Sequence, residues 1–323
     1  MPMMGAMKIT ELGGPRTRVL VAAVLVLSVG AAAPSSALRI PSARGCPVFP
    51  DNNVWNKRVD GLPVARNSDR IVRSIGLDEG LHPDFGSGLY EGRPIGIPYD
   101  VVDRTQRKRN VRFTYTSESD DGPYPIPNDV KIEGGRTSTG DRHALIVDKD
   151  ACKLYELFAL YRRDDGGWRA GSGAIWDLRS NKLRPKGWTS ADAAGLPILP
   201  GLARYDEVKR GKIDHALRFT VSRSRRKYIY PARHFASDSD DRSLPPMGLR
   251  LRLKKGFDIS RFPYQARIVL KALKRYGMIV ADNGSDWYIS GAPNRHWNND
   301  SLHALGEVEG RHFVVVNTSN LRP

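Results

Sequence analysis

The sequence predicts an α+β fold, strand-rich, with mainly antiparallel sheets in a sandwich-like arrangement and a few peripheral helices. Three observations lead there. Short apolar-polar alternations recur between Ile97 and Asn317 and are bounded by Gly, Pro, Asn and Asp clusters. One stretch, Ser260–Tyr276, holds apolar residues at helical spacing over several turns. Long helices do not alternate with the strands, as a parallel α/β sheet would require.

The N-terminus carries Lys8, Arg16 and Arg18, then an apolar run from Val19 to Ala33, then Pro34-Ser-Ser-Ala37. That order is the layout of a secretory signal peptide, and the run is short of the roughly 20 residues that span a bilayer core. Residues 1–37 are therefore expected to be a signal peptide, or else an uncleaved signal anchor, and 38–323 a single extracytoplasmic domain in the cell envelope or secreted. The two cysteines, Cys46 and Cys152, are expected to form one disulfide in such a compartment.

From Cys46 to Asn67 the chain is rich in Pro, Asn and Asp and reads as irregular. Ser68 is expected to cap a short helix through Leu77, because Ile71, Val72 and Ile75 share a face. Leu81–Pro98 is dense in Gly and Pro and loop-like. Strands are expected at Ile97–Val102 and Val111–Tyr115, with Arg104-Thr-Gln-Arg-Lys-Arg109 as a basic hairpin tip between them. Ser117–Asp141 is a long loop, and loops of that length in compact domains are usually functional or disordered. His143–Asp148, Lys153–Leu160, Trp168–Ala170 and Ala174–Leu178 follow as strands.

Arg179–Gly201 is a second long irregular stretch, with one helical turn expected to end at Gly195. His215–Val221 and Lys227–Pro231 read as strands around a second basic tip, Ser222–Lys227. In Leu249–Lys254, leucines alternate with Arg250, Arg252 and Lys254, the pattern of a strand buried on one face. The helix Ser260–Tyr276 stops at Gly277. Asn283-Gly284 between Met278–Asp282 and Asp286–Ser290 is the strongest short hairpin signal in the chain. A short helix near Asp300–Leu305 and a strand Phe313–Asn317 close the domain.

The runs Gly140–Asp148, Gly187–Gly201 and Ala281–Ser285 together resemble a family of secreted, actinobacterial-type proteins without a known activity. The likeness extends from about Cys46 to the last strand. It implies export and a single domain and supplies no mechanism.

Charge narrows the partners. The formal net charge is +16, and losing residues 1–37 removes three cations (Lys8, Arg16, Arg18) and one anion (Glu11), leaving +14. A basic protein outside the cell points to a polysaccharide or another anionic envelope polymer. No nucleic-acid-binding signature interleaves aromatics with the basic runs, so no specific nucleic acid is expected. Membrane contact is expected only through an uncleaved N-terminal segment. There is no Gly-x-Ser-x-Gly elbow, no phosphate cradle and no HExxH, so neither a cofactor nor a metal is assigned.

The chemistry expected from this pattern is that of a carbohydrate-active enzyme, most simply a glycosidase, which needs two carboxyl groups in unlike environments. Glu156 shares a strand face with Leu154, Phe158 and Leu160, which should raise its pKa toward that of a general acid. Asp177 follows Trp176, an aromatic of the kind that stacks on sugar rings. His143 and His215 begin strands, His215 on the face of Leu217 and Phe219 and opposite Arg218 and Thr220. These four, Glu156, Asp177, His143 and His215, are the expected catalytic set. Trp176, Asp192, His234, Asp282 and Tyr288 are the expected substrate contacts. A polysaccharide lyase using a histidine with Tyr155 or Tyr288 is the less favoured chemistry. A non-catalytic wall-binding or structural protein explains charge and export equally well.

Overall fold

The computed structural model describes residues 38–321. The expected signal segment 1–37 lies outside the described residues. Strand exceeds helix, 26% against 18%, and the architecture is α+β.

The larger sheet has six strands in the order His82–Asp84, Tyr288–Ser290, Leu217–Val221, Met278–Asn283, Arg250–Leu253 and Phe313–Val315. Leu217, Phe219 and Val221 turn one face of the central strand into the main core, where they meet Val269, Leu270 and Leu273 of the helix Tyr264–Arg275. That helix starts at Tyr264, later than its spacing suggested, with Pro263 as its N-cap. Proline biases the residue before it, Phe262, away from helical backbone, so the turn Ser260–Phe262 cannot join. Gly277 takes φ +69° past the helix end, and a Cβ there would meet the Leu251 carbonyl oxygen at 2.1 Å. The first helix is Ser68–Ile75; Ser68 lies inside it, and its Oγ accepts the Val315 N–H rather than capping.

The second sheet has four strands, Ser172–Asp177, Lys153–Phe158, Ala144–Asp148 and Tyr99–Val102. Its third strand is an unbroken apolar run because both faces are covered: Leu145 and Val147 belong to one core, Ala144 and Ile146 to another. Cys46 and Cys152 form a disulfide across a sequence separation of 106, tying the start of the described chain to the turn before Lys153.

The sheets are mixed rather than mainly antiparallel. Tyr99–Val102 runs parallel to Ala144–Asp148, Val111–Phe113 to Trp168–Ala170, and Leu217–Val221 to Met278–Asn283. Parallel neighbours need a crossover of a dozen or more residues, and the long segments that read as loops between hairpins supply it. Neither basic run is a hairpin tip, since the strands flanking each belong to different sheets. Asn283-Gly284 does not close a hairpin either, because Leu217–Val221 is inserted between the two strands it joins. Arg250–Leu253 is buried on both faces. Arg250 is accommodated there by donating to the carbonyls of Tyr276, Val54 and Lys57 at 2.7–2.8 Å.

Candidate functional site

The face of Leu217–Val221 opposite the core carries Arg218 and Thr220, and both are buried too. Neighbouring strands add Tyr288 and Ser290, which alternate with the core residue Ile289, and Asp84. Strand pairing slips by one residue between Phe219 and Thr220, so Phe219 lies opposite Val280 while Thr220 lies opposite Asp282. A one-residue slip moves a side chain to the other face of a sheet. Here it brings Asp282 onto the face of Arg218. The long loop before Ala144–Asp148 closes over this face with Glu133, Asp141 and His143.

Between them lies a cavity of about 230 Å³, lined by Asp84, Glu133, Asp141, His143, Arg218 and Asp282 among others. A second cavity of about 360 Å³ shares Asp141, Asp282 and Asn283 with the first and adds Tyr115, Glu118, Phe158 and His234. The imidazole of His234 is oriented by the Ala193 carbonyl, 2.9 Å from Nδ1. Tyr288 is stacked on His82 with ring centroids 4.0 Å apart.

Arg218 organises the buried side. Its Nε and Nη2 donate to the two oxygens of Asp192 at 2.9 and 2.8 Å, Nη1 donates to Ser290 Oγ at 2.7 Å, and Nη2 also reaches Asp282 Oδ2 at 3.3 Å. Such a bidentate pair is a strong, directional contact. Asp192 is fully enclosed, and its backbone N–H donates to Ser190 Oγ. Asp282 is in a different state. Burial and then the Asp192 carboxylate raise it to about 7, with Arg218 opposing only in part.

His143 is the cationic counterpart. Nδ1 lies 2.6 Å from Glu133 Oε2 and Nε2 lies 2.9 Å from the Ala191 carbonyl oxygen, so both nitrogens face acceptors. Only an imidazolium donates to both. Burial alone would lower this group, but Glu133 outweighs it and lifts His143 to about 9, while His143 holds Glu133 below the usual carboxylate range despite its burial. Glu133, Asp141 and His143 have ligand atoms within 4.8 Å of one another, the spacing of a metal site. With both its nitrogens engaged His143 offers no lone pair, and the trio acts as an ion pair with a second carboxylate, Asp141, beside it.

The four residues expected to carry catalysis do not converge. His143 lines the cavity. Glu156 is fully buried and accepts from the backbone N–H groups of Ile198 and Leu199 and from Trp176 Nε1. Burial does push its carboxyl up to about 7, as an apolar face should, but every partner is a donor and it lines neither of the two cavities above. Asp177 is exposed at a strand end, where Oδ1 accepts the Arg179 N–H. His215 is enclosed, its ring between Glu207 Oε2 at 3.1 Å and the Ala216 carbonyl oxygen at 2.7 Å. Trp176 is buried with Glu156 and presents no platform for a sugar.

The expected substrate contacts gather instead. Asp282 lines both cavities, Tyr288 one and His234 the other, while Asp192 stands behind Arg218. Arg218, Glu133, Asp141 and Asp84 were not put forward as site residues from the sequence. The available signals were Arg218 and Thr220 alternating against an apolar strand face and Glu133 with Asp141 inside the long loop. No protein-family model, no curated protein and no solved structure matches the chain.

Proposed function

We propose that the protein is a secreted carbohydrate-active enzyme that hydrolyses glycosidic bonds in a polysaccharide, with Asp282 as the proton donor and Asp141 as the second carboxylate. The observation that carries this reading is Asp282, a carboxyl raised to about 7 at the junction of two cavities, with Asp141 lining both. Glycosidic cleavage needs one carboxyl that keeps its proton and another that gives it up, and unlike surroundings provide the difference. Asp141 is exposed and has no ion-pair partner among the described residues, whereas Asp282 is sunk between Asp192 and Arg218. Tyr115, Phe158 and Tyr288 offer ring faces, and Asn283, Thr189 and Ser285 offer polar groups suited to sugar hydroxyls. The Cys46–Cys152 bridge is compatible with an extracytoplasmic location.

Lyase chemistry has less support. His143 carries a proton on each nitrogen and cannot abstract another, and Tyr155 is buried with Lys108 Nζ on its hydroxyl. The test is release of reducing ends from a polysaccharide panel by purified protein. Asp282→Asn should lower release by about 10²-fold or more, the scale of general acid catalysis. Asp177→Asn, outside the cavities, should leave it unchanged. Binding without turnover by the wild type would refute the enzyme and favour a wall-binding protein.

A further inference from the structure

A second groove, sharing no residue with the two cavities, opens beside the strand Arg225–Tyr228. Its volume is about 360 Å³. Ile71, Leu249 and Val315 contribute to its apolar floor. Four cations rim it: Arg66, Arg225, Lys227 and Arg242. Arg225 and Lys227 of that strand line the groove, while Arg226 between them lies outside it and pairs with Asp240 at 2.9 Å. No aspartate or glutamate lines the groove, and none of the four rim cations has an ion-pair partner among the described residues. Four like charges gathered around an apolar floor repel one another, and an anionic occupant relieves that repulsion.

We propose that this groove is a binding site for a single chain of an anionic, carboxylate-bearing polysaccharide. Three features select a glycan over other polyanions. Tyr230 supplies a half-buried ring at the wall, Asn67, Asn317 and Thr318 supply amide and hydroxyl groups for sugar hydroxyls, and the volume falls at the small end of ligand pockets. A nucleic-acid duplex needs a far broader basic surface. The Ser222–Lys227 run, read in the sequence as a basic hairpin tip, here supplies Arg225 and Lys227 to one wall of a recognition site. The proposal does not rest on the reading of Asp141 and Asp282, because the groove holds its ligand whether or not that cavity cleaves it.

The experiment is fluorescence anisotropy of the full protein with a labelled oligogalacturonate, and with labelled single-stranded DNA of similar charge as the competing polyanion. Arg225→Gln, Lys227→Gln and Arg242→Gln combined should weaken oligogalacturonate binding by about tenfold or more. A charge-matched control, Lys209→Gln, Arg226→Gln and Lys271→Gln combined, should change it by less than about twofold. Circular dichroism of both triple variants verifies folding, and each groove cation is also replaced singly. Equal loss in the two triple variants would reduce the effect to net charge and overturn the proposal. DNA bound as tightly as oligogalacturonate, with the same dependence on the groove cations, would overturn it as well.

Discussion

Replacing Glu133 by Gln tests the electrostatics of the cavity through folding stability, independently of any substrate. In the wild type His143 is 1% exposed and donates from both ring nitrogens, to Glu133 and to the Ala191 carbonyl. Its pKa moves from 6.5 to about 9 on folding. At about 1.4 kcal/mol per pH unit, that corresponds to roughly 3 kcal/mol of stability. Because the folded state keeps its proton to higher pH, this contribution is complete below about 6.5 and is lost as pH rises toward about 9. In Glu133→Gln the amide no longer supports the cation, and a neutral His143 can accept from it while still donating to Ala191. The variant should therefore be less stable than the wild type by roughly 3 kcal/mol near pH 6.5 and should approach it near pH 9.5. Urea unfolding followed by tryptophan fluorescence across that range measures the gap. Titrating groups outside the cavity cancel in the difference between the two proteins. A gap that stays constant from one end of the range to the other would refute the imidazolium assignment.

Turnover should depend on Asp282 being protonated, so kcat/KM should decline on the alkaline side with an apparent pKa near 7, and a profile flat through that region would remove Asp282 as proton donor. Glu156→Gln places an NH2 group among the N–H donors of Ile198, Leu199 and Trp176 and should cost about 1–3 kcal/mol in urea unfolding. Its folded fraction should keep wild-type turnover; lost turnover at unchanged stability would return Glu156 to the chemistry. Unreduced protein should show no free thiol by mass analysis. Reduction should lower stability by up to about 4–5 kcal/mol, the chain-entropy scale for a loop closed over 106 residues, and an alkylatable thiol in the native protein would contradict the bridge.

Local physics made much of the architecture legible. Apolar spacing and Gly277 located the helix Tyr264–Arg275, and apolar runs located Ala144–Asp148 and Leu217–Val221. Strand order was hidden, because the turn signal Asn283-Gly284 cannot reveal that Leu217–Val221 inserts between the strands it joins. The apolar face of Lys153–Phe158 was read through Leu154 and Phe158, but Leu160, expected on the same face, joins the other core, and the acid on that face, Glu156, is satisfied by backbone N–H groups some forty residues away.

The sequence by itself determined most of the central elements, the raised carboxyl on an apolar strand face and the segments from which the site is drawn, but it read as loop the stretch holding the edge strand His82–Asp84. Alternation along Leu217–Val221 separates two faces, and the polar one reads as solvent-facing because the apolar one must be core. Only tertiary structure closed that polar face, by laying Glu133, Asp141 and His143 over Arg218 and by slipping one pairing to carry Asp282 there. The reason is physical. Periodicity records what each residue does along its own strand, whereas burial and the charges that set a pKa come through space from segments far away in the chain.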